Sequence, residues 1–225
     1  MGKKRLGQTG IMLTQVGLGC MGLSEYYGPP TEESVAIKLL HEAIDLGVNH
    51  FDTAEIYGVG RNETLLGKAF FDRRDKVRIA TKFGPVRDPE TGASLGLDGS
   101  KENCKKSVEG SLARLQTDHI DLYYLHRVDP NTPIEETVTA MAKLVEEGKI
   151  GAIGLSEVSG ATLRRAHSIH PITAVQSEYS IFSREIERDV LPVCREIGTS
   201  LVAYSPLGRG ILTGSFKRDS EISET

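Results

Sequence analysis

The run Gly17-Leu18-Gly19-Cys20-Met21-Gly22 ends a short apolar segment and fits G-x-G-x-x-G, the turn through which a strand passes into a helix that receives a dinucleotide pyrophosphate. Here the third glycine leads into no helix, because Ser24-Glu25-Tyr26-Tyr27-Gly28-Pro29-Pro30-Thr31 intervenes. The acid that should close a second strand about 20 residues on is also missing, since Glu42 and Asp45 fall within a helical pattern. The run therefore reads as a glycine-rich loop at the end of a first barrel strand. An open doubly wound sheet, which announces its nucleotide site in that first turn, loses its main signature.

Outward from this loop the chain alternates. Before it, Lys3 to Gly7 and Met12 to Val16 flank the turn-like Gln8-Thr9-Gly10 and predict an N-terminal β-hairpin. After it, a helix is expected from Thr31, with Glu32 and Glu33 in its first turn, Ala36, Leu39, Leu40 and Ala43 on one face, and Gly47 at its end. Strand and helix patterns then follow in turn: 48–54, 62–70, 77–83, 101–115, 121–127, 134–148, 150–156, 161–170, 174–179, 184–198 and 200–207. Thr132-Pro133-Ile134-Glu135 reads as a capping box, and Gly148 and Gly198 stand where left-handed helix ends belong. Strands alternating with helices pair in parallel through right-handed crossovers. The fold class expected is α/β, a (β/α)8 TIM barrel with an N-terminal hairpin, here with seven strands and without the eighth strand and last helices.

Composition narrows the function. The 225 residues carry 27 Lys+Arg against 31 Asp+Glu, a net charge of −4, so there is no basic stripe for nucleic acid or an anionic membrane. No run approaches the roughly 18 apolar residues of a spanning helix, and Met1-Gly2-Lys3-Lys4-Arg5-Leu6 has neither a leader's apolar stretch nor the hydroxyl residue of a myristoylation signal. A cytoplasmic protein is expected. Cys20, Cys104 and Cys194 are odd in number and far apart, which predicts reduced thiols rather than disulfides or a zinc site.

Polar residues stand where strands end: Asp52, Lys82, His126, Ser156, Gln176 and Tyr204-Ser205. In a β/α barrel these ends share one rim, where such residues read as catalytic. Taken singly, Asp52 reads as a cap, Lys82 as a solvated lysine and His126 as a core histidine. Together at one rim they would need three coincidences. His50 and Asp52, Ala80 and Lys82, and Tyr124 and His126 share strand parity, which puts each pair on one face. Tyr57 lies five residues after Asp52. A Lys82 ammonium beside its phenol should lower the phenol pKa toward the operating range, with Asp52 holding Lys82 and His126 hydrogen-bonding the same substrate oxygen. This set suits proton donation to a carbonyl, for which a nicotinamide would supply hydride.

The segments GLGCMG, FDTAEIYG, RNETLLGKAF, IATKFG, IDLYYLHR, LVEEGKIGAIGLSE, AVQSEYS and AYSPLGRG together resemble the aldo-keto reductase family, in the bacterial and plant branch related to potassium-channel β subunits. The resemblance implies a catalytic tetrad of Asp52, Tyr57, Lys82 and His126 with Tyr57 as proton donor. It implies cofactor contacts by Met21, Asp52, Ser156, Gln176, Tyr204 and the loop Ser205, Pro206, Leu207, Gly208, Arg209 and Gly210. Ser156 and Gln176 match the positions that bind the nicotinamide carboxamide, and Tyr204 the ring that stacks on it. Glu157 departs from the pattern, since many members have Asn there. The implied reaction is reduction of small-molecule aldehydes or ketones with NADP(H), NAD being the alternative, and no metal is implied. Residues 1–225 are then one aldo-keto reductase barrel domain, truncated at the C-terminus and broken at a mobile loop after Gly210.

Two other functions fit less of the chain. A Schiff-base aldolase on Lys82 has no use for AYSPLGRG, and a non-catalytic, cofactor-sensing barrel would bind without turnover. His167 and His170 could share a metal but have no third ligand nearby, and the tail Ser215 to Thr225 reads as a solvated segment. Loops 24–30, 58–62 and 127–133, with Tyr26, Tyr27 and Arg127, are expected to shape the substrate pocket.

Overall fold

A computed structural model describes residues 1–214. The hairpin is β1 (Lys3–Arg5) paired antiparallel with β2 (Met12–Thr14). The alternating elements follow as β3 (Leu18–Gly19), α1 (Glu33–Asp45), β4 (His50–Asp52), α2 (Arg61–Phe70) and β5 (Arg78–Phe83). A second hairpin, β6 (Pro85–Arg87) and β7 (Ser94–Leu97), precedes α3 (Lys101–Leu115) and β8 (Leu122–Leu125). Then come α4 (Ile134–Glu146), β9 (Ile153–Ser156), α5 (Gly160–Ile169), β10 (Ala174–Glu178), α6 (Val190–Ile197) and β11 (Ser200–Tyr204).

Seven strands form one parallel sheet in the order β11-β10-β9-β8-β5-β4-β3. Apart from the excursion β6–β7, sheet order follows chain order, the topology of a barrel wall and not of a doubly wound sheet. Among the described residues β3 and β11 are the two ends of the sheet. Consecutive helices from α1 to α6 pack side by side on its outer face.

The parity expected from the sequence sorts the two faces. Phe51, Ile79, Tyr123, Leu125, Ile153 and Val175 point outward into the main core beneath the helices. Ala80, Leu122, Tyr124, Ala152 and Ala174 point inward, where Leu6 and Leu13 of the hairpin region join them. The hairpin closes the lower end of the sheet: Asn49 Oδ1 accepts the N–H of Thr14 at 2.7 Å, and the N–H of Gly7 donates to Ser200 Oγ at 2.7 Å. Gly17 illustrates why the first loop needs glycine, since a Cβ there would lie 2.7 Å from Nδ1 of His50 on the neighbouring strand. The next helix begins only at Glu33, so the glycine run serves close packing and not a helix start.

Four local readings change. α1 starts at Glu33 and not at Thr31, because the Glu32 carboxylate caps the helix by accepting the N–H groups of Ser34 and Val35, each at 3.0 Å. There is no capping box at 132–135: Pro133 is the N-cap without a side-chain bond, and Thr132 donates instead to Asp129 Oδ2 at 2.7 Å. The predicted helix 184–198 is a short 3-10 turn, Glu185–Glu187, followed by α6 from Val190, with Pro192 confined to its first turn. The hairpin β6–β7 lies in a stretch where alternation gave no strand signal. Gly148 and Gly198 do adopt left-handed φ values of 74° and 73° at helix ends. All three cysteines are buried and unpaired. Among the described residues no helix is long and apolar enough to cross a membrane. The tail from Ser215 to Thr225, read above as solvated, lies outside the described residues.

Candidate active site

Lys82 is the centre of the rim. It points inward from β5, and its side chain is fully buried. Its Nζ donates to Asp52 Oδ1 at the end of β4, to the carbonyl of Thr53 at 2.7 Å and to the hydroxyl of Tyr57 at 3.4 Å. Nζ also lies 5.1 Å from the centre of the Tyr57 ring. Asp52 Oδ2 accepts Nε2 of Gln176 from β10 at 2.8 Å. His126, just past β8, meets the Tyr57 ring edge-on with centroids 5.7 Å apart. Asp52, Tyr57, Lys82 and His126 are thus one cluster.

The charges follow from burial. For Lys82 burial opposes the ammonium, but Asp52 and Tyr57 outweigh it and raise the pKa, so the lysine stays charged. For Tyr57 the net shift is upward, against the fall expected from the sequence. Burial disfavours the phenolate more than Lys82 and Arg127 favour it, so Tyr57 holds its proton at neutral pH. Burial, Lys82 and Arg127 all push His126 down to about 2, leaving a neutral ring whose buried Nδ1 finds no partner among the described residues.

A cavity of about 790 Å³ opens on this cluster. Asp52, Tyr57 and His126 line it, whereas Lys82 lies behind Asp52 and Tyr57. Of the residues expected at a cofactor, Met21, Ser156, Gln176, Tyr204, Ser205, Pro206, Leu207, Arg209 and Gly210 line it too. Gly208 does not, and packs toward Phe182. Ser156 and Gln176 are register partners on β9 and β10, so a hydroxyl and an amide face the cavity side by side. Glu157 does not line the cavity, and its carboxylate accepts the N–H of Glu178 at 2.9 Å. Burial and a hydrogen bond to Glu157 push Tyr204 up to about 12, keeping it an uncharged ring on the wall. Paired amide and hydroxyl groups beside a neutral aromatic ring fit a flat heterocycle bearing a carboxamide.

Several positioning groups escaped the sequence reading. Asn62 in α2 is fully buried, its Oδ1 accepting Thr53 Oγ1 at 2.6 Å and its Nδ2 donating to the carbonyl of Cys20 and to Ser24 Oγ, each at 2.8 Å. It ties the loop after β3 to the Thr53 segment whose carbonyl holds Lys82. Asn62→Ala should cost about 1–3 kcal/mol in urea unfolding by orphaning these groups, and should lower kcat with the displaced Lys82. Arg87 on β6 donates to Glu25 Oε2 at 2.8 Å and to the Tyr26 hydroxyl at 2.5 Å, fastening the loop that carries Tyr26 and Tyr27 over the cavity. The signal for Asn62 was present, as a polar residue on the inward face of an amphipathic helix. His167 Nδ1 accepts the N–H of Ile172 at 3.2 Å, and the described residues contain no group of three or more metal-ligating side chains.

The sequence pattern of the Aldo/keto reductase family matches residues 15–225. The chain belongs to the aldo-keto reductase family. It is 48% identical over 211 residues to a protein of Glycine max called probable aldo-keto reductase 1, covering 93% of this chain and 60% of that one. Among solved aldo-keto reductases, the thermostable Tm1743 in complex with the inhibitor epalrestat superposes with a TM-score of 0.83 at 39% identity, over 93% of this chain and 74% of that one. The glycerol dehydrogenase of Gluconobacter oxydans superposes with a TM-score of 0.91 at 32% identity, over 99% and 68%. An aldo-keto reductase of Bacillus halodurans in its holo form gives 0.89 at 35%, over 98% and 72%.

Proposed function

We propose that the protein reduces aldehyde or ketone carbonyls to alcohols, with NADP(H) as cofactor and NAD as the alternative. The observation that carries this reading is the buried Lys82 ammonium shared between the Asp52 carboxylate and the Tyr57 hydroxyl, beside His126 in one cavity. A bound nicotinamide supplies hydride to the carbonyl carbon. Ser156 and Gln176 are the groups to hold its carboxamide, Tyr204 the ring to lie against it, and Ser205 to Gly210 the loop to cover its phosphates. Tyr57 gives its proton to the carbonyl oxygen, and Lys82 stabilises the tyrosinate left behind. Asp52 keeps Lys82 charged and aimed. Neutral His126 offers one ring N–H to the same oxygen and orients the carbonyl.

The raised pKa of Lys82 favours this role over Schiff-base chemistry, which needs a neutral amine. The test is direct: the full-length protein should bind NADPH by calorimetry and oxidise it with a panel of aldehydes. Failure of both measurements would falsify the reading.

His126 supplies a pH test. Its folded pKa, about 2, lies below the unfolded value of about 6.5. Its contribution to stability is therefore complete above the unfolded pKa and is lost as pH falls toward the folded one, by up to about 1.4 kcal/mol per pH unit. Urea midpoints should drop on acidification through this window, and less so in His126→Gln. The kcat/KM profile should show no inflection near pH 6.5 from this ring, and one that vanishes in His126→Gln would refute its neutral role.

A further inference from the structure

We propose that Arg127 is the counter-charge for an anionic group on the substrate, so that the cavity selects carbonyl compounds that also carry a carboxylate. This rests on the reductase reading above. Arg127 follows His126 directly and lines the cavity with it and Tyr57. Its guanidinium is tied down by Nη1 alone, which donates to the carbonyl of His126 at 2.6 Å and to Ser156 Oγ at 3.1 Å. Both acceptors are neutral. Among the described residues no carboxylate forms an ion pair with Arg127, and none offers an acceptor to its Nε or Nη2.

Asp52 and Arg87 are engaged, whereas Arg209, which also lines the cavity, is exposed and belongs to the loop assigned above to the cofactor phosphates. Asp52 is taken by Lys82 and Gln176, and Arg87 by Glu25 and Tyr26. Glu178 also lines the cavity but makes no ion pair with Arg127. A half-buried guanidinium with Nε and Nη2 open presents the two parallel N–H groups that match a carboxylate's two oxygens. Tyr26, Tyr27, Ile56 and Pro85 line the same cavity and supply surface for the carbon skeleton. The field of Arg127 reaches both Tyr57 and His126, which places the charge beside the groups that hold the carbonyl.

The experiment compares 4-formylbenzoate with its methyl ester on the full-length protein at saturating NADPH. The acid should be preferred in kcat/KM by about 10–100-fold, the range of a charge-assisted hydrogen bond. Arg127→Gln should erase the preference mainly through KM, Arg127→Lys should restore part of it, and the Kd for NADPH should hold in both. An unchanged preference in Arg127→Gln overturns the proposal. So does a weakened NADPH Kd with the preference intact, which would put Arg127 on the cofactor. If neither aldehyde is turned over, the reductase reading fails instead. The anion site then stands or falls on calorimetric binding of 4-formylbenzoate to the parent and not to Arg127→Gln.

Discussion

Tyr57→Phe should lower kcat by about 10²–10⁴-fold, the contribution of a well-placed general acid, while NADPH still binds. The substitution removes one oxygen from a ring that burial and the contact with His126 otherwise keep in place. Lys82 keeps Asp52 and the Thr53 carbonyl as partners, so its position and charge should survive. The structure adds a condition that residue types alone did not. Burial raises the Tyr57 pKa in the free protein, so the phenol keeps its proton throughout the neutral range, and in the proposed role Lys82 would act by stabilising the phenolate as it forms. Steady-state kinetics beside cofactor calorimetry separates the outcomes. Loss of NADPH binding with loss of turnover would move Tyr57 out of the acid role.

Arg114→Ala should cost about 3–5 kcal/mol, the usual effect of stripping the partner from a buried charge. Glu63 on α2 is fully buried, with Arg114 Nε of α3 donating to its Oε2 at 2.6 Å and Thr81 Oγ1 donating to its Oε1 at 2.5 Å. Arg114 also reaches Glu55 at 3.4 Å, in the segment between β4 and Tyr57. Burial raises the Glu63 pKa even against the pull of Arg114 and Thr81. A carboxyl whose folded pKa lies above its unfolded value contributes stability at low pH and loses it as pH rises through the folded pKa. Without Arg114 that pKa should rise further, so the deficit should be greatest at neutral pH and shrink on acidification. Urea unfolding at two pH values measures this, and Glu63→Gln in the Arg114→Ala background should recover part of the loss. A deficit independent of pH would mean that Arg114 contributes by packing rather than charge.

What could be read in advance followed from periodicity. Strand parity of two placed His50, Asp52, Ala80, Lys82, Tyr124 and His126 on one face, and the inward cluster of Ala80 and Tyr124 with the Lys82–Asp52 contact bears this out. Helix ends were legible where glycine alone suffices, at Gly148 and Gly198, but not at Thr132, whose hydroxyl had a better acceptor in Asp129. The hairpin β6–β7 gave no signal because it is too short for alternation to show, and its Arg87 finds its partners in a loop about 60 residues away in the chain.

Sequence alone therefore determined the class of fold, the rim on which the polar residues gather and the family to which the chain belongs. Each depends on spacing along the chain, a local quantity. Tertiary structure decided the protonation of Tyr57 and His126, the role of Asn62 as a tie between two loops, and the open edge of the Arg127 guanidinium. Those depend on how much water is excluded and on which distant atoms arrive to replace it, and neither quantity is written in the order of residues.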